Sequence, residues 1–140
     1  MAKVDGLFLR VAVLYAVAGI TLGIFMAISE DHSQMPTHAH INLLGWASMA
    51  LYAVVYRVWP EAARSPLARW HFWLANLGAV ALFIGVAGVM AGRASYDPLA
   101  AFGALVSLAG IILFAVIVFR NVPAREAAGG VPGGSLRSTP

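Results

Sequence analysis

The sequence predicts an all-α membrane protein built from four transmembrane helices. Three observations predict it. Of its 140 residues 61% are hydrophobic and only 11% charged, whereas a soluble domain of this size carries about a quarter charged residues. The apolar residues fall into four runs, each close to the roughly 20 residues a helix needs to cross a bilayer core. The charges sit in short clusters between the runs, and mean hydropathy is +0.81.

The first run, about Leu7–Ile28, is too long for a secretory leader and lacks a clear small-x-small cleavage site before the polar loop, so it is expected to stay in the mature protein. It carries Gly19-x-x-x-Gly23, a small-residue pair at helix-contact spacing. The second run, about His40–Trp59, closes at Pro60. A short linker, Glu61–Ser65, leads to Pro66, which suits the first turn of the next helix. Spans two and three are therefore expected to form an antiparallel hairpin. The third run covers about Phe72–Gly92 and includes Gly88-x-x-x-Gly92. Asp97-Pro98 starts the fourth, about Leu99–Phe119, with Asp97 or Ser95 as its cap. These runs make residues 1–120 one transmembrane domain. Residues 121–140 are rich in Gly, Pro, Ser and Ala and are expected to form a disordered cytoplasmic tail.

Charge predicts the orientation. Lys3, Arg10, Arg57, Arg64, Arg69, Arg120, Arg125 and Arg137 are eight of the nine Lys and Arg residues, and all lie on one side of the predicted spans. The other side holds Arg93 with Glu30, Asp31 and Asp97. The positive-inside rule then puts both termini in the cytoplasm and His32, His38 and His40 towards the outer face of the inner membrane. The pI near 9.8 thus reflects topology signals beside helix ends, and no nucleic-acid partner is expected. No cysteine is present, which excludes disulfides, thiolate metal sites, iron–sulfur clusters and covalent haem attachment. The sequence contains no nucleophile–base set, P-loop, dinucleotide fingerprint or buried carboxylate pair.

The most informative stretch is Thr37-His38-Ala39-His40-Ile41-Asn42-Leu43-Leu44-Gly45-Trp46, where a loop is expected to enter span two. It holds two of only four histidines, and neutral imidazole is the commonest metal ligand. On a helix the two imidazoles point roughly 200° apart. Either the segment is not helical and the pair chelates one ion, or each histidine serves a different site. Interfacial histidines bonded to water, headgroups or backbone are the bland alternative. His32 reads as a solvated loop residue, with membership of an outer zinc or copper site as the alternative. His71, between Trp70 and Phe72, reads as packed or snorkelling at the inner boundary. Asn42, Asn76 and Ser48 read as helix–helix hydrogen bonders.

His38-Ala39-His40, then Leu44-Gly45-Trp46, then Tyr52 or Tyr56 and Trp59-Pro60, then Arg69-Trp70-His71-Phe72-Trp73 resembles part of the main subunit of the haem–copper oxidase superfamily. The nearest likeness is to its C-family oxidases and nitric oxide reductases. The resemblance covers roughly Thr37 to Trp73 and is thin over spans one and four. It implies that His38 and His40 are haem ligands, with Asn42 and Trp46 beside them as cofactor-binding candidates. The family's main subunit has twelve spans in three arcs of four. A four-span chain then implies a homotrimer, in which His38 of one copy and His40 of its neighbour hold one haem b. The family's copper site needs further histidines, and the other spans supply only His71 on the wrong side, so a complete oxidase is not expected.

The resulting expectation is a haem b protein for electron transfer with a quinol or cytochrome partner. A copper or zinc site on His38, His40 and His32 is the second expectation. A cofactor-free scaffold or assembly subunit in the lipid bilayer is the third.

Overall fold

In a computed structural model the chain is all-helical, and the structure describes residues 3–123. Most of the predicted tail, with Arg125 and Arg137, lies outside the described residues. α1 spans Val4–Ser29. α2 spans Met35–Val58, followed by a one-turn helix α3, Pro60–Arg64. α4 spans Pro66–Met90. A 3₁₀ turn, Ala94–Tyr96, leads into α5, Asp97–Asn121. Among the described residues four helices are long and apolar enough to cross a membrane, which makes this a multi-pass membrane protein by length and composition.

Local chemistry explains the ends. Glu30 and Gly92 adopt positive φ (56° and 76°) and terminate α1 and α4. In the link after α1, Asp31 Oδ1 accepts from the Ser33 backbone N–H at 2.9 Å, and that bond holds the Asp31 carboxyl below its ordinary pKa. Ser65 caps α4 by accepting from the Leu67 N–H at 3.3 Å, with Pro66 in the first turn.

Several boundaries differ from expectation. α2 begins at Met35, so His38 and His40 lie on the helix rather than at a loop mouth. Pro36 has no N–H to waste in the first turn, which lets the helix start this early. α4 begins at Pro66, which puts Arg69 and His71 inside it. Gly92 falls beyond α4, so Gly88 and Gly92 are not a helix-packing pair; Gly88 makes room for the Tyr96 ring. Neither Asp97 nor Ser95 caps α5: Tyr96 takes that position and makes no side-chain cap bond.

Within α2, residues Ile41–Ser48 run in π-helical register. The Ser48 hydroxyl donates to the Leu43 carbonyl five residues back, at 2.8 Å, the spacing of that register. Ser48 therefore bonds within its own helix, contrary to the expected helix–helix bond. Asn76 behaves as expected and accepts from the Tyr15 hydroxyl of α1 at 3.1 Å.

The molecule is two hairpins, α1/α2 and α4/α5, joined by α3. Glycine decides how closely each closes. A Cβ on Gly78, Gly85 or Gly103 would run into the backbone of the facing helix at Ser107, Ala100 and Leu82 respectively. The α4/α5 hairpin thus brings backbones together in the small-residue manner of membrane helices. Gly19 and Gly23 open α1 towards α2 within one chain, one of the two contacts, within a copy or between copies, that their spacing allows. The core, including Phe8, Tyr52, Tyr56, Phe72 and Ile117, lies towards the end carrying Lys3, Arg57 and Arg64, here the basic end. Leu14, Ile28, Leu105 and Phe119 face outward, as expected where lipid is the solvent.

Candidate functional site

His38 and His40 stand in the α-helical first part of α2, at the end opposite the basic end. The segment is helical, so the two rings diverge by roughly 200° and one chain does not bring both to one ion. His38 turns towards α1. Its Nδ1 lies 2.9 Å from the Gly19 carbonyl oxygen, and its Cε1 lies 2.8 Å from where a Cβ on Gly23 would sit. His40 turns back on its own helix, with Nδ1 2.7 Å from the Pro36 carbonyl oxygen. A carbonyl only accepts, so Nδ1 is the protonated nitrogen in both rings. With Nδ1 carrying its proton, Nε2 is the nitrogen left to act as a ligand. That is the arrangement of ligating histidines, whose second nitrogen is anchored to a carbonyl or carboxylate.

Asn42 lies one turn after His38. Its amide donates to the His38 carbonyl at 2.9 Å and approaches the ring nitrogens only at 3.4 and 3.5 Å. Gly19 provides the space for this amide. Asn42 therefore steadies His38 instead of bonding across helices. Trp46 is 48% exposed on the outside of α2. His32 is exposed in the link, its Nδ1 3.3 Å from the Glu30 carbonyl. Among the described residues no group of three or more His, Asp or Glu side chains is placed to hold a metal ion. The set His32, His38 and His40 is thus not assembled within one chain. The residues do fit a haem iron in one respect: each imidazole can offer a single oriented Nε2 as an axial ligand.

A second polar centre lies at the basic end. His71 of α4 is fully buried, and its Nδ1 shares a 2.9 Å hydrogen bond with the Tyr56 hydroxyl of α2, itself 1% exposed. Phe8, Tyr52 and Phe114 surround the imidazole with ring centroids 5.0, 4.6 and 5.1 Å away. Its Nε2 is buried without a hydrogen-bond partner among the described residues. His71 is thus packed, one of the two positions expected for it. Phe8 sits level with His71 on α1, and Gly23 level with His38. At ~1.5 Å per residue, the two histidine sites are about 22 Å apart along the bundle, too far for His71 to join the other pair. Sequence reasoning missed the Tyr56–His71 partnership. Its signal was a hydroxyl four residues before Pro60 and an imidazole five after Pro66, on the two helices that the short linker joins.

The chain matches no protein-family model, no curated protein and no solved structure.

Proposed function

We propose that this is an oligomeric haem b protein of the inner membrane, in which His38 of one copy and His40 of a neighbouring copy ligate one iron through Nε2. The observation that carries this reading is the pair of Nδ1-to-carbonyl bonds, which orients both rings and leaves Nε2 as the ligating nitrogen of each. The divergence of the rings on a continuous helix favours sharing between copies. The likeness of residues 37–73 to the haem–copper oxidases supplies the group, and the single-arc length of four spans supplies the homotrimer, closed head to tail. The bound haem would contribute one-electron chemistry. The chain's residues orient the two imidazoles by anchoring Nδ1 to backbone carbonyls, and apolar helix faces would shield the site. Two histidines on one iron leave no open coordination position, which favours electron transfer with a quinol or cytochrome over small-molecule chemistry. The positive-inside rule places both termini in the cytoplasm and the His-x-His pair towards the outer face.

The test is the visible spectrum of the detergent-purified chain, oxidised and reduced, with metal analysis on the same sample. Expression is in cells supplied with haem. A strong Soret band that sharpens on reduction is expected, and His38→Ala and His40→Ala should each abolish the same band. A colourless protein overturns the reading. Stoichiometric copper or zinc in that sample would move the assignment to a metal centre. Absence of both would leave a membrane scaffold.

A further inference from the structure

Two cavities meet at the basic end around the ion pair of Arg57 and Asp5, 3.7 Å apart. The first is a groove of about 330 Å³ between α1 and α2, walled by Gly6, Leu9, Ala53, Val54 and Val58, with Arg57 and its partner Asp5 completing the lining. Its lining is almost wholly apolar, and Leu9, Val54 and Val58 on it are exposed, as residues facing a bilayer would be. A Cβ on Gly6 would meet nothing within 4 Å, so the fold itself leaves this space unfilled. The second cavity, about 250 Å³, is lined by Lys3, Arg57 and Arg64 together with Tyr56, Pro60 and Ala63. Three cations there face one lining carboxylate, Asp5. Glu61 outside the lining engages Arg64.

Arg57 joins the two spaces. Its side chain is 75% exposed, and a single guanidinium nitrogen reaches Asp5. The remaining N–H donors form a planar fork suited to a phosphate. The groove sits at a helix end, where headgroups lie, and basic pockets beside spanning helices are where anionic headgroups bind. We propose that the two cavities together form a site for one anionic phospholipid. An acyl chain lies along the Gly6–Leu9 face of α1 against Ala53, Val54 and Val58. The phosphate is held by Arg57, with Lys3 and Arg64 supplying further positive charge. The apolar groove explains why a lipid fits and a free inorganic anion does not. The cationic mouth explains why an anionic lipid is preferred to a zwitterionic one.

The experiment is native mass spectrometry on the delipidated full chain in detergent, titrated separately with phosphatidylglycerol and phosphatidylcholine. The wild type should retain one phosphatidylglycerol per chain about fivefold more strongly than phosphatidylcholine, the preference expected from one well-placed cation at a headgroup. Arg57→Gln should remove that preference. Gly6→Phe should fill the groove and cut retention of both lipids by at least about tenfold. Its lipid-free thermal midpoint should match the wild type, because the new side chain enters open space. Equal retention of the two lipids by the wild type overturns the proposal, and so does Gly6→Phe binding as the wild type does. If Gly6→Phe fails to fold, the Arg57→Gln preference decides alone.

Discussion

The Tyr56 hydroxyl and the His71 Nδ1 are each other's hydrogen-bond partner inside a box of aromatic rings, and His71 Nε2 has none among the described residues. Removing one partner leaves the other buried and unpaired, which costs about 1–3 kcal/mol. Tyr56→Phe should therefore lower the thermal midpoint, whereas Tyr56→Phe combined with His71→Leu should recover much of the loss, because an apolar pair of similar volume needs no partner. A double variant less stable than the single one would show that the pair does more than satisfy itself. At the other end, a Cβ on Gly23 would meet the His38 ring at 2.8 Å. The side chain at fault is the far end of an imidazole, so Gly23→Ala should leave the fold intact and push His38 off its carbonyl anchor. The expected result is weakened haem retention with an unchanged circular dichroism spectrum; Gly6→Ala, where a Cβ meets nothing, serves as the control. The residue types at both centres were legible in the sequence, but only the His38–His40 centre was singled out. Two histidines in three positions announce themselves. A tyrosine and a histidine fifteen residues apart become partners only once α2 and α4 are brought together across α3.

At the scale of elements, the four spans were legible because bilayer thickness imposes a length on apolar runs. Their ends were not. Hydropathy marks where a helix leaves apolar surroundings, not where its hydrogen bonding stops, so α2 and α4 each start five or six residues before the predicted boundaries. The π-helical stretch Ile41–Ser48 was invisible for a similar reason. It changes the relation between His38 above it and Tyr52 and Tyr56 below it without altering composition. Glycine spacing was only partly read: Gly19 and Gly23 do pack against α2, yet the tighter contact is made by Gly78 and Gly85 of α4 with Gly103 of α5. At Gly103 a Cβ would strike the Leu82 backbone, which cannot rotate away as a side chain can. Gly103→Val should cost at least the ~1–3 kcal/mol typical of overpacking and separate the α4/α5 hairpin. A thermal midpoint equal to that of the wild type would contradict this account of the hairpin.

For the whole molecule, one chain presents two well-anchored imidazoles that face different ways. It also presents a broad apolar surface that includes Leu14, Leu105 and Phe119. Lipid alone satisfies such a surface, so composition does not specify a partner copy; the divergence of His38 and His40 is what asks for one. The central claim is that one haem takes its two ligands from adjacent copies. The most direct measurement is co-expression of the His38→Ala and His40→Ala chains in equal amounts, with haem per chain read from the Soret band of the mixed assembly. Neither variant alone should bind haem. In a closed ring of randomly mixed copies, about a quarter of the junctions unite an intact His38 with an intact His40, so the mixture should regain about a quarter of the wild-type band. A mixture as colourless as its parents, or single variants that each keep haem, would contradict the shared site.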